Sequence, residues 1–220
     1  MGENSQKRIV LASSSPRRRQ LLSQLGIKFE VLPSYAEESC VSADPPAMVR
    51  ELALRKASEV ATRVKDALVI GADTIVVLGR KVLGKPTSPE EAVKMLLELQ
   101  GKWHTVFTGV AVIDTCSGRT VVDCEATQVL MRPLNEKAVR AYVETGEPMD
   151  KAGSYAVQGL GAALVERIEG CFYNVVGLPI PKLCQILETF GVELFKGNGR
   201  RSPGKKGDSG ASKYQTASGG

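Results

Sequence analysis

Leu68-Val69-Ile70-Gly71-Ala72-Asp73-Thr74-Ile75-Val76-Val77-Leu78 is the stretch whose reading decides the fold. Almost every residue is apolar and many are β-branched. Such a run reads as a strand buried on both faces, the kind found in the middle of an α/β sheet. Asp73 interrupts it. A carboxylate is costly to bury unless it meets a cation, a metal or several hydrogen-bond donors. Two readings stay open: a bend at Gly71 that leaves Asp73 at a wet strand end, or a metal ligand or general base at the mouth of the sheet.

On the C-terminal side, Gly79-Arg80 turns the chain back into Lys81–Leu83, and Gly84-Lys85-Pro86 makes a stiff turn. Ser88-Pro89-Glu90-Glu91 is a capping box with proline at the first helical position, launching a helix to Gln100 that stops at Gly101. On the N-terminal side, Asp44-Pro45 opens a helix to about Lys65 with Val49, Leu52, Ala53, Ala57, Val60 and Val64 as its apolar stripe. Lys56 shares that stripe, four residues after Leu52 and four before Val60. A lysine there either snorkels to the surface or reaches an anion along the core edge.

The chain opens on Ile9-Val10-Leu11-Ala12-Ser13-Ser14-Ser15-Pro16-Arg17-Arg18-Arg19 and runs helically to Gly26. Ser15 suits the N-cap and Pro16 the first helical position, with Leu21, Leu22 and Leu25 on one face. Hydroxyls, guanidinium forks and a helix N-terminus together describe a polyphosphate cradle. The other reading is an ordinary capped helix with a solvated basic face. Phe29–Leu32 is a further short strand, and Glu37-Glu38 follow in a polar loop.

The second half is richer in β structure. Trp103–Asp114 and Thr120–Met131 form a hairpin, and Leu134–Glu144 is a helix ended by Gly146. The glycine-rich stretch Gly153–Gly161 leads to expected strands at Ala163–Ile168 and Phe172–Val176. Pro179-Ile180-Pro181 begins a last helix ending at Gly191. The pattern is one α/β unit with a mixed central sheet flanked by helices, in two lobes, over residues 8–195.

Composition narrows the function. The formal charge of +5 is carried by residues 196–220, which hold six basic residues against Asp208 alone. That Gly/Ser-rich basic segment is expected to be a disordered, solubilising tail, and the folded part shows no nucleic-acid stripe. No apolar run approaches a membrane span. Five scattered cysteines without C-x-x-C spacing fit a reducing cytosol better than disulfides or zinc. His104, the single histidine, excludes a multi-histidine metal site and makes a serine–histidine triad a poor fit. Arg17, Lys56, Lys85 and Lys151 as cations, with Glu38, Asp73 and Asp150 as carboxylates, are an inventory for phosphoryl transfer with a hard divalent metal.

Leu11-Ala12-Ser13-Ser14-Ser15-Pro16-Arg17-Arg18, Gly71-Ala72-Asp73-Thr74, Gly84-Lys85-Pro86, Asp150-Lys151-Ala152-Gly153-Ser154-Tyr155 and Asn174-Val175-Val176-Gly177-Leu178-Pro179 together resemble the Maf family of nucleoside triphosphate pyrophosphatases, from about Arg8 to about Phe190. The chain is also similar to the N-terminal domain of acetylserotonin O-methyltransferase-like proteins. The resemblance implies a fold related to the inosine triphosphate pyrophosphatases, with two lobes around a nucleotide cleft. It implies hydrolysis of a nucleoside triphosphate to the monophosphate and pyrophosphate with Mg2+ or Mn2+, a house-cleaning role in the nucleotide pool, a cytoplasmic location and a homodimer. Asp73 matches the family's proton acceptor. Ser13, Arg17, Lys56, Lys85 and Lys151 match phosphate-binding positions, which leaves Arg18 and Arg19 as solvated helix surface, and Glu38, Asp73 and Asp150 match metal-binding ones. Arg17, Thr74 and Gln158 match the branch acting on dTTP, UTP and modified pyrimidine nucleotides. Two departures are Gly84, where many relatives carry glutamate, and Ala156, where glycine is frequent. The alternative is a nucleotide-binding regulator of cell division without turnover.

Overall fold

The computed structural model describes residues 7–37, 42 and 44–194. The expected tail at 196–220 and Glu38 lie outside the described residues. Among these residues seven strands make one mixed sheet: β1 (Arg8–Leu11), β2 (Glu30–Val31), β3 (Ala67–Leu78), β4 (Lys81–Leu83), β5 (Trp103–Asp114), β6 (Thr120–Met131) and β7 (Val165–Glu169). Their order is β2-β1-β3-β5-β6-β7, with β4 paired to β3 off that path. β1 runs parallel to β2 and β3, and the remaining pairs are antiparallel.

The register of β3 creates the cleft. On one edge β5 pairs with Leu68 through Val77. On the other edge β1 covers Ala67–Ile70 and β4 covers Val76–Leu78. Between them, residues 71–75 have no strand on that side, and Asp73 sits in the middle of the gap. β3 is continuous through this region and Asp73 is 8% exposed, so the expected alternative of a wet strand end does not hold.

Among the described residues six α-helices cover the sheet: α1 (Pro16–Ser23), α2 (Pro45–Ala61), α3 (Pro89–Leu99), α4 (Glu136–Glu144), α5 (Phe172–Val176) and α6 (Ile180–Thr189). The caps expected for the first three are present: Ser15, Asp44 and Ser88 each accept from a backbone N–H three residues on. The reciprocal arm of the α3 capping box lands one residue earlier than expected, because Glu91 accepts from Thr87 N and Oγ1 rather than from Ser88.

Strand alternation sends Val69, Gly71 and Asp73 to the face under α2, where Ala53, Ala57 and Val60 pack on Val10, Ala12, Val69 and Ala111. Ile70 and Ala72 face the opposite layer, with Leu21, Leu22, Leu183 and Leu187. A further core gathers α3 and α4 around Val76, Leu83, Val106 and Val129. The two lobes are thus the two ends of one sheet, and Asp73 stands where they meet.

One expected strand is a helix. Phe172–Val176 folds as α5, bounded by Gly170 at φ +124° and Gly177 at φ +119°. Asn174 on α5 is fully buried and donates through Nδ2 to Val106 O (2.9 Å) and Thr127 Oγ1 (2.8 Å). That side chain satisfies groups on β5 and β6, and tertiary hydrogen bonding overrides the β preference of Val175-Val176. The preceding strand begins at Val165 rather than Ala163, since Gly159–Leu164 coils into a 3-10 helix.

Candidate active site

The Asp73 geometry begins with two glycines. A Cβ on Gly71 would lie 2.3 Å from Ala53 O, and one on Gly109 would lie 2.0 Å from Val49 O. Gly109 pairs directly with Asp73 across β3 and β5. Only glycine at both positions lets the α2 backbone rest on the sheet backbone. Lys56 then descends onto Asp73, and its Nζ donates to Oδ1 at 2.7 Å, with side chains 12% and 11% exposed. Of the two readings of Lys56, the lysine that reaches an anion is the observed one. At this burial, removing either partner strands a charge and costs about 3–5 kcal/mol.

On the other face Thr74 meets Thr108, its cross-strand partner, with Oγ1 atoms 3.0 Å apart. Arg18 completes this network and corrects the sequence reading, which left it on the solvated surface. Its guanidinium donates to Ala72 O (2.8 Å), Gly177 O (2.8 Å), Thr74 Oγ1 (3.0 Å) and Ser13 Oγ (3.5 Å). Arg18 therefore takes over a carbonyl that a strand would have paired in the β3 gap, and clasps the first loop to the α5 end. Arg19 is exposed, as expected.

The cradle at the α1 N-terminus is built from side chains more than backbone. Arg18 N is spent on Ser15 Oγ, Ser15 N on Ser13 Oγ (3.2 Å), and Pro16 has no N–H. Ser13 is nearly buried at 7% exposure and keeps a hydroxyl hydrogen to donate. Arg17 Nη1 and Lys151 Nζ both bind Asp150, at 3.1 Å and 2.6 Å. Burial pushes the Asp150 carboxyl up, but the Lys151 hydrogen bond and the Arg17 charge outweigh it and hold it below the usual range.

Ser13, Arg17, Lys56, Asp73, Thr74, Lys85, Asp150, Lys151 and Gln158 all line one cleft of about 300 Å³. Glu38, the remaining expected site residue, is outside the described residues. Among the described residues no three His, Cys, Asp or Glu side chains form a metal cluster. The cleft's Asp73 and Asp150 are hard oxygen donors. They fit a divalent ion held by one or two carboxylates and completing its shell with water and substrate phosphate. His104 takes no part: it is buried with Nε2 2.7 Å from Tyr155 Oη, and burial lowers its pKa to about 4.

Residues that sequence reasoning passed over hold the loop that carries Gln158 along the cleft. Glu147 accepts from Tyr142 Oη (2.9 Å), Gly161 N (2.8 Å) and Leu160 N (3.1 Å). In the sequence it looks like a surface turn residue beside Pro148, and only its distance from the glycine-rich loop hides it.

A carboxylate–ammonium pair where a central strand is open along one edge, ringed by cations on loops, defines an α/β protein with a polyanion-binding cleft. The chain belongs to the Maf family: the family model described as Maf-like protein matches residues 8–190. Three relatives each carry the name dTTP/UTP pyrophosphatase. The one from Desulforamulus reducens is 54% identical over 84% of this chain and 98% of its own. That from Pelotomaculum thermopropionicum is 55% identical over 86% and 100%. That from Gloeobacter violaceus is 52% identical over 86% and 98%. Among solved structures, the Staphylococcus aureus Ham1 protein aligns with TM-score 0.45 and 16% identity over 72% of this chain and 80% of its own, too partial a likeness to bear on the site.

Proposed function

We propose that this chain hydrolyses pyrimidine nucleoside triphosphates, dTTP and UTP together with modified relatives, to the monophosphate and pyrophosphate. The observation that carries the reading is the Asp73–Lys56 pair in the open edge of β3, inside a cleft rimmed by Arg17, Lys85 and Lys151. Half-identity to relatives named for dTTP and UTP supports the substrate class.

In this reading the triphosphate lies along Ser13, Arg17, Lys85 and Lys151, whose charges and hydroxyl stabilise the negative charge that builds on its oxygens. Water attacks the α-phosphorus in line, the bond from that phosphorus to the bridging oxygen breaks, and pyrophosphate leaves. Asp73 takes the water's proton, and Lys56 holds the carboxylate in place. Asp73 and Asp150, with Glu38, would hold Mg2+ or Mn2+, which would neutralise phosphate charge. Gln158 offers one donor and one acceptor, a match for the N–H and carbonyl edge of uracil or thymine. Arg17 and Thr74 complete the specificity set, Thr74 by fixing the β3 edge through Arg18 and Thr108.

Among the described residues no helix is long and apolar enough to cross a membrane. A cytoplasmic location and a homodimer accompany the proposal. The alternative of a regulator without turnover is not favoured, because the cleft unites a buried carboxylate with the cations that triphosphate cleavage needs. The test is a panel: pyrophosphate release from UTP, dTTP, CTP and 7-methyl-GTP with added Mg2+ or Mn2+. Release from UTP and dTTP above the other two is expected. Nucleotide binding with no release overturns the enzymatic reading.

A further inference from the structure

Gln158 sits between two 3-10 helices, Ala152–Ser154 and Gly159–Leu164, and the stretch Tyr155–Gln158 lines the cleft. A glutamine amide alone cannot choose uracil over cytosine, because turning it over exchanges donor and acceptor. Choice requires that the main chain beside the amide be fixed too, so that a single base edge meets both together.

The structure fixes that main chain from one place. Leu160 N and Gly161 N belong to the first turn of their 3-10 helix, where N–H groups lack partners within the helix. Both donate instead to the Glu147 carboxylate, at 3.1 and 2.8 Å. Tyr142 Oη donates to the same carboxylate at 2.9 Å and accepts from Ala156 N at 3.2 Å. The loop is therefore pinned two residues before Gln158 and two and three residues after it. Two glycines make room for the pin: a Cβ on Gly159 would lie 2.7 Å from Glu147 Oε2, and one on Gly161 2.6 Å from Tyr142 Oη. Gly159 also needs its φ of +65°. The main-chain carbonyl of Glu147 accepts from Lys151 Nζ, so the same residue touches the cation on the phosphate side.

We propose that Glu147, with Tyr142, is the positioning residue for base selection: it touches no nucleotide, and sets the Gln158 loop so that uracil and thymine are preferred over cytosine. The inference rests on the pyrimidine triphosphate reading above. Its energetic basis is that the part-buried Gly161 N–H, left against the wrong partner, loses its hydrogen bond and much of its solvation together, while the exposed Leu160 N–H turns to water. Glu147→Gln places an amide NH2 where the loop offers only donors.

The experiment measures kcat and KM for UTP and CTP in the native chain, Glu147→Gln, Tyr142→Phe, Gln158→Ala and the Glu147→Gln/Gln158→Ala double variant, with thermal melts alongside. Glu147→Gln is expected to lower the UTP-over-CTP preference about tenfold, through KM for UTP, while kcat for UTP falls less than about threefold. Tyr142→Phe moves the same way by less, and the double variant shows no loss of preference beyond Gln158→Ala. An unchanged preference in both single variants overturns the inference, as does an equal loss of kcat on both nucleotides. If Glu147→Gln gives no cooperative melt, Tyr142→Phe, which removes one hydroxyl, decides by the same criteria. A native chain that cleaves UTP and CTP equally sinks this inference and leaves hydrolysis standing. A native chain that cleaves neither sinks both.

Discussion

Asp73 and Thr74 are neighbours in the chain and are held in opposite ways. The Asp73 face is set by backbone contact: Gly71 and Gly109 let α2 close on the sheet, and one ion pair of 2.7 Å results. The Thr74 face is set by a polar network in which Arg18 bonds two carbonyls and two hydroxyls, with Thr108 beyond it donating to Asn174 O. The reacting group owes its position to what is missing, two β-carbons, and the adjacent wall owes its position to bonds that can be removed singly. Steric seating is all-or-none because a packed interface shifts as a body, whereas a network loses strength bond by bond.

Three changes separate the two mechanisms. Asp73→Asn keeps the shape and removes the proton acceptor. Pyrophosphate release from UTP is expected to fall by about 10²–10⁴ in the folded protein, and the melts should show a loss of about 3–5 kcal/mol because Lys56 keeps a buried charge without its partner. Gly109→Ala leaves every polar group in place but drives a methyl into Val49 O. Overpacking of this kind costs about 3 kcal/mol, seen in denaturant melts, and activity should fall because Lys56 moves with α2. Near-native activity and stability in Gly109→Ala would mean that α2 yields freely, and the contrast between the faces would fail. Arg18→Lys keeps the charge but cannot reach four acceptors with one ammonium. Its expected cost is about 1–2 kcal/mol, with a partial loss of activity, measured by the same melts and assay.

The outline of the fold was legible because its strongest signals are local. Asp73 announced itself as a carboxylate in an apolar strand, and Lys56 as a lysine on an apolar helical stripe. Their meeting was not legible, since it depends on Gly109, far away in sequence and unremarkable in its own strand. Arg18 could have been found: it precedes Leu21, Leu22 and Leu25 by three, four and seven residues, and so lies on the buried side of α1. Three arginines in a row obscured that spacing. Phe172–Val176 was misread because the Asn174 hydrogen bonds that make it a helix come from β5 and β6. Glu147 was missed for the same reason, its three donors lying five, thirteen and fourteen residues away.

Attack of water on the α-phosphorus is the step on which the proposed chemistry rests. Hydrolysis of dTTP in heavy-oxygen water, with the products separated and weighed by mass spectrometry, reads this directly. The label is expected to enter dTMP, with pyrophosphate leaving unlabelled. Label in pyrophosphate, or orthophosphate as the released product, contradicts it.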